Sequence, residues 1–243
     1  MARAMARGWG DPVLCSDHGS GRARALAEEL GGEALSNQEV AERADLVVLC
    51  HKPRQLREVA GEIAGSAKAV ASVLGGVGVA TLQDAYPGVP VFVLMPNTPV
   101  EVRAGVICYS PAPDIDPDLE AEVLALLGRL GEVITVEERL MGAASAVMGV
   151  GPAYLSLLAE AQVDAAVRHG LGPALAGRLV ADTMSGTASL LEARAYDTLT
   201  VRREVTSPGG TTARGLASLE RAGVRPAFQD AIDAVIGDGD GRR

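Results

Sequence analysis

The chain changes its hydrophobic rhythm once, and that change limits what it can fold into. Up to about residue 136, short β-rich runs alternate with helical stretches: PVLC (12–15), LVVLC (46–50), AVASV (69–73), VFVL (91–94), GVICY (105–109) and EVITV (132–136). Short strands separated by helices give a mostly parallel sheet covered by helices. Asp116 and Pro117 form a helix start, Leu119, Val123, Leu126 and Leu130 follow at helical spacing, and Gly131 is read as the stop. Residues 1–8 are helix formers ended by Gly8 and Gly10. Beyond residue 137 the strand signals vanish and Ala- and Leu-rich helical periodicity takes over, broken at 149–152, 170–173 and 207–210. The expected fold is an α/β nucleotide-binding domain over 1–137 and an all-α domain over 138–243. Residues 174–191 are apolar on more than one face, which predicts burial against a second chain. The tail 237–243 alternates Gly and Asp before two Arg and is expected to be disordered.

Composition excludes several functions. With a net charge of -9 the chain lacks the basic surface that nucleic acid or an anionic membrane requires. Aromatic residues make up 3%, so the helices are expected to pack through Ala, Val and Leu. Cys15, Cys50 and Cys108 are odd in number and widely spaced, and are read as buried free thiols of a cytoplasmic protein. His18, His51 and His169 have no partner at i+3 or i+4, so no metal site is expected. The apolar stretch at 69–80 is interrupted by glycines and shorter than the roughly 20 residues a membrane span needs. No apolar core marks a signal peptide at the N-terminus.

Four segments have the residue types that ligand chemistry needs. In VTSPGGTT (205–212) a turn at Ser207, Pro208, Gly209 and Gly210 leads into a helix starting near Thr211 or Thr212, whose free N–H groups suit a carboxylate. A hydroxyl-capped helix without ligand explains the same residues. MPNTP (95–99) places Asn97 and Thr98 in a rigid loop at the carboxyl end of a strand, where open α/β sheets bind ligands, or is a plain loop. Cys50, His51, Lys52 and Pro53 end another strand, where Lys52 meets cofactor phosphate or ribose, or is a solvated lysine. MGVGPAYL (148–155) starts a long helix at Pro152, which either shapes a pocket or is purely structural.

In this order, HKP, MPNTP, GVGPAY and VTSPGGTT with LASLERAG (216–223) resemble the pyrroline-5-carboxylate reductases over essentially the whole chain. The resemblance implies a Rossmann-like domain, a helical domain that interlocks with its twin in a homodimer or higher homo-oligomer, and hydride transfer from NADPH or NADH to a small cyclic imine. In this family a strand and a GxGNM loop precede the first helix, so Met1 resembles the methionine after that loop. The expectation is a Rossmann-like domain with its first strand missing, a start assigned too far downstream, and weakened fold and cofactor binding. The resemblance places the cofactor near Ser16, Asn37, Cys50, His51, Lys52, Pro53, Val73, Leu74 and Gly75, with Asn97 beside them. Asp17 falls at the usual position of a ribose-binding carboxylate and hints at NAD, while Arg22 and Arg24 suit a 2'-phosphate, so the choice stays open.

For the substrate the resemblance points to Glu138, Ser207, Gly209, Gly210, Thr211 and Thr212. Backbone N–H groups at 210–212 hold the carboxylate, and the catalytic Thr212 hydrogen-bonds the ring nitrogen. The family's SGSGPAY is here MGVGPAY, and its acidic, histidine-containing segment is replaced by Ala195, Tyr196, Asp197 and Thr198. These departures keep open an imine reductase for another cyclic imine and a non-catalytic dimeric paralogue. A β-hydroxyacid dehydrogenase needs a lysine that residues 151–158 lack.

Overall fold

The computed structural model describes residues 1–239. A five-stranded sheet has the order β3-β4-β5-β6-β7, formed by β3 (Val47–Leu49), β4 (Val70–Ser72), β5 (Val91–Pro96), β6 (Gly105–Ser110) and β7 (Gly131–Thr135). β3, β4 and β5 run parallel, β6 is antiparallel to β5, and β7 is parallel to β6. Near-continuous apolar runs suit β4 and β5 because both faces are covered. On one face Leu56, Val59 and Ile63 of α4 (Leu56–Ile63) and Val79 and Leu82 of α5 (Val79–Ala85) join the core. On the other, Met5 of α1 (Ala2–Trp9) and Val123 and Leu127 of α6 (Pro117–Gly128) pack with Phe92, Leu94 and Ile107.

Several expectations are corrected. The run at 12–15 shortens to β1 (Leu14–Cys15), which pairs in parallel with β2 (Glu33–Ala34). That pair is a sheet of its own: among the described residues no strand joins β1 to β3. β2 has two exposed residues and therefore carries no alternation to read. Gly8 lies inside α1, and Gly10, at φ 71, is its left-handed cap. Gly131 opens β7 instead of stopping α6, which ends at Gly128. Of the three free cysteines only Cys108 is buried; Cys15 and Cys50 are partly so. Burial pushes the Cys50 thiol up to about 11, which keeps it unreactive.

By contacts the chain divides into Met1–Pro152 and Ala153–Arg243, downstream of the expected change at residue 137. The second unit contains most of α8 (Gly151–Arg168), then α9 (Pro173–Ala193), α10 (Thr198–Glu204), α11 (Thr211–Arg221) and α12 (Val224–Gly239). α12 continues through 237–239, so the expected disorder does not begin there; residues 240–243 lie outside the described part. Tyr154 and Phe228 meet edge-to-face at 6.2 Å, joining α8 to α12. Among the described residues of this unit, only Ala176 and Val201 are buried hydrophobics, and Leu155, Leu157, Leu175 and Leu179 lie open.

α1 is held by close approach. A Cβ on Gly8 would collide with the carbonyl oxygen of the fully buried Val100 and come within 2.7 Å of Leu130 Cδ2. Gly8→Ala is therefore expected to cost about 1–3 kcal/mol, read as a lower thermal unfolding midpoint. An unchanged midpoint would contradict this packing.

Candidate active site

Because β3, β4 and β5 are parallel, their carboxyl ends share one edge of the sheet, and three of the expected site segments follow from them. After β3, His51 Nδ1 lies 3.0 Å from the carbonyl oxygen of Lys52. The other ring nitrogen of His51, Nε2, is buried with no partner. Lys52, Pro53 and Arg54 line an open pocket of about 370 Å³. After β4, Leu74 N donates to Ser72 Oγ at 3.3 Å, and the glycine-rich loop runs to Gly78, the N-cap of α5.

Asn97 follows β5 and is 7% exposed. Its Oδ1 accepts from Val106 N at 2.8 Å, and its Nδ2 donates to the Met148 carbonyl at 3.1 Å. The amide thus joins the start of β6 to the π-helical turn Ser145–Gly149. Glu138 lies just after β7 in sequence, yet its Oε1 accepts from Val79 N at 2.9 Å, at the start of α5. A Cβ on Gly78 would collide with that oxygen. Glu138 is therefore brought to the loop carrying Val73, Leu74 and Gly75. Residue spacing along the chain could not reveal either link, because each closes over more than 50 residues.

Ser16 and Asp17 follow β1, and Asn37 follows β2. Asp17 accepts from Gly19 N, Ser20 N, Ser20 Oγ and Ala23 N at 2.7–3.1 Å, capping the approach to α2 (Arg22–Leu30). The backbone bond from Ala23, followed by the Ser20 hydroxyl, holds its carboxyl at about 2. Asn37 begins α3 (Asn37–Arg43), and its Nδ2 donates to Glu62 Oε2 at 2.6 Å. The side chains of Asp17, Asn37 and Asn97 are thus each committed to protein partners.

In the second unit α11 starts at Thr211 with Gly210 as N-cap, and no side chain caps it. This rules out the hydroxyl-capped alternative: the first-turn N–H groups are free of any side-chain acceptor. α10 differs, since Asp197 accepts from Leu199 N and Thr200 N. Gly209, at φ 69, turns the chain, Gly210 N donates to the Ser207 carbonyl at 3.1 Å, and a Cβ on Gly210 would meet Ser207 Oγ. Arg214 Nη1 donates to the Gly209 carbonyl at 3.1 Å, adding positive charge beside the turn. No cluster of metal ligands occurs among the described residues.

Residues 138–239 match the family described as pyrroline-5-carboxylate reductase dimerisation, and residues 1–76 match NADP oxidoreductase, coenzyme F420-dependent. The pyrroline-5-carboxylate reductase of Synechocystis sp. is 38% identical over 201 residues, covering 82% of this chain and 75% of that protein. The chain belongs to the pyrroline-5-carboxylate reductase family. Its Mycobacterium tuberculosis relative is 37% identical over 241 residues, covering 88% of this chain and 82% of the other. Among solved reductases of this family, that of Streptococcus pyogenes superposes with a TM-score of 0.88 at 27% identity over 98% of this chain and 94% of that one. The Plasmodium falciparum pyrroline carboxylate reductase with NADP bound gives 0.85 at 26%, over 97% and 92%. A nicotinamide dinucleotide fits the first unit: the β3 and β4 loops share one edge, and His51 Nε2 is a buried ring nitrogen without a partner there.

The Glu138 contact makes a double-mutant prediction. Gly78→Ala should destabilise the protein, and markedly less so once Glu138→Ala has removed the oxygen it would strike. Thermal melts of both single variants and the double variant measure this, and strictly additive losses would contradict the contact.

Proposed function

We propose that the chain reduces 1-pyrroline-5-carboxylate to L-proline with NADH or NADPH, the last step of proline formation. The observation that carries this reading is the uncapped start of α11 inside VTSPGGTT, in a chain of this family. When bound, the reduced nicotinamide supplies a hydride to the imine carbon. The N–H groups of Thr211 and Thr212 hold the substrate carboxylate at the positive end of the helix, with Ser207, Gly209 and Gly210, whose own N–H is used on the Ser207 carbonyl, shaping the turn. The Thr212 hydroxyl hydrogen-bonds the ring nitrogen as the C=N electron pair moves onto it. A ring nitrogen protonated from solvent needs no further acid, so orientation supplies much of the rate.

On the cofactor side, Ser16, Cys50, His51, Lys52, Pro53, Val73, Leu74 and Gly75 form the assigned contacts. Asp17, Asn37 and Asn97 are assigned to holding the loops of that site, because the Asp17 carboxylate, the Asn37 Nδ2 and both polar atoms of Asn97 already serve protein partners. Glu138 is assigned the same task, in place of a substrate contact.

The helical unit is read as the interface of a homodimer. Its helices bury little apolar surface of their own, and a second copy would cover Leu155, Leu175 and Leu179. Unlike the stretch at 69–80, the helical run Glu138–Arg168 is, by length and composition, apolar enough to cross a membrane. We read its apolar face as dimer surface and the protein as cytoplasmic, in keeping with three free thiols and a net charge of -9 that disfavours nucleic acid. Light scattering without detergent should give twice the chain mass or an even multiple of it; a monomer, or partition into membranes, would contradict the reading.

Met148 and Val150 make the turn before α8 more apolar than the family's serine-rich form, which favours testing other cyclic imines as well. Removing the carboxylate, as in 1-pyrroline, should raise KM sharply for the parent chain. Thr212→Ala should lower kcat by about 10²-fold with the dimer intact. Unchanged turnover would remove Thr212 from the mechanism, and equal efficiency on 1-pyrroline would remove the carboxylate from recognition.

A further inference from the structure

The sheet carries a cavity at the end away from the cofactor loops. β6 is antiparallel to β5, so its carboxyl end and the loop 111–115 come to the amino end of β5, opposite the edge where β3, β4 and β5 finish. A cavity of about 280 Å³ lies there, between that loop and the turn after α5. Tyr86, the C-cap of α5, lines it and is fully buried. Among the described residues two buried side-chain polar atoms lack a hydrogen-bond partner. One is His51 Nε2 at the cofactor edge, and the other is the Tyr86 hydroxyl. An unpaired buried hydroxyl costs stability, so one beside a cavity points to a partner that the protein does not itself supply. Burial pushes the phenol up to about 12, which keeps it a neutral hydroxyl able to donate and to accept.

The wall selects the kind of molecule that fits. Pro90 and Pro113 have no N–H, and Val89 N is spent on the Tyr86 carbonyl at 3.1 Å. No Lys, Arg or His lines the cavity, which leaves the Gln83 amide and the Tyr86 hydroxyl, each also an acceptor, as side-chain donors. Asp114 lines it as well, stands exposed, and makes no ion pair or hydrogen bond among the described residues. Its backbone, at φ 63, takes the left-handed conformation that Asp and Asn tolerate better than most side chains. An anion would meet an unneutralised carboxylate here, whereas a cation would be drawn to it. We propose that this cavity binds a small organic ammonium ion with a hydroxyl or carbonyl at its other end. The ammonium pairs with Asp114, the short apolar chain lies against Val89 and Ile115, and the distal oxygen meets the Tyr86 hydroxyl. This site is separate from the reductase chemistry and does not depend on it.

The test titrates 4-aminobutan-1-ol into the whole isotope-labelled chain and follows the backbone amide resonances. Those of Gly88, Asp114 and Ile115 should move saturably, with a Kd on the order of 1 mM for a molecule of this size. Those of Gly75 and Gly76, in the loop after β4, should stay in place. Butan-1-ol, which lacks the ammonium, and 4-hydroxybutanoate, which has a carboxylate instead, should bind at least about fivefold more weakly. Asp114→Asn, which suits the same left-handed backbone, should weaken the amino alcohol about fivefold. Tyr86→Phe should weaken it about threefold. In a thermal melt without the probe, Tyr86→Phe should hold or raise the unfolding midpoint, because the hydroxyl it removes has no partner. No saturable movement, movement of Gly75 and Gly76 instead, or a Kd indifferent to both substitutions would overturn the inference. So would a lowered midpoint for Tyr86→Phe, which would show the hydroxyl already engaged within the protein.

Discussion

The parallel register of β3, β4 and β5 is the constraint from which the rest follows. Parallel strands end on the same edge, so the chain must deliver the His51-Lys52 loop, the glycine-rich loop after Leu74 and the Asn97 turn to one place. Burial of both sheet faces fixes that register, because a slip of one residue would move Val70, Val91 and Val93 out of the face they pack against. Two side chains then bind the following segment to that edge. Asn97 reaches Met148, and Glu138 reaches the start of α5. The contact boundary therefore falls at Pro152, after both links, even though the family's dimerisation region begins at residue 138.

The second unit works by a different economy. Its helices leave most of their leucines open, so their stability depends on what covers them. Within it, two helix starts of similar setting are finished differently. Asp197 neutralises the start of α10, while Gly210 gives α11 a start with no side chain on its N–H groups. A helix with an unfinished start, a glycine turn and Arg214 alongside has the charge complement of a carboxylate.

Local chemistry was legible in the sequence, and long-range chemistry was not. Asp116 and Pro117 announce α6, and the structure shows Asp116 accepting from Asp118 N and Leu119 N. The turn at 207–210 leads into a helix at Thr211, as its residues imply. β2 left no trace because two exposed residues have no pattern. Asp17 was visible as a carboxylate after a strand, but its use as a cap depends on the folded turn through Gly19, Ser20 and Ala23. The partners of Glu138 and Asn97 are set by the packing of distant elements, and an isolated Glu or Asn in a sequence cannot name them. The wide apolar face of α9 was readable as a surface awaiting a partner, since residues 174–191 are apolar on more than one face.

The most direct measurement is oxidation of NADH and NADPH by the purified chain in the presence of 1-pyrroline-5-carboxylate, with chiral amino-acid analysis of the product. The account predicts imine-dependent oxidation with L-proline formed in equal amount to the cofactor consumed. Binding of both cofactor and imine without oxidation, or oxidation without proline, would contradict it.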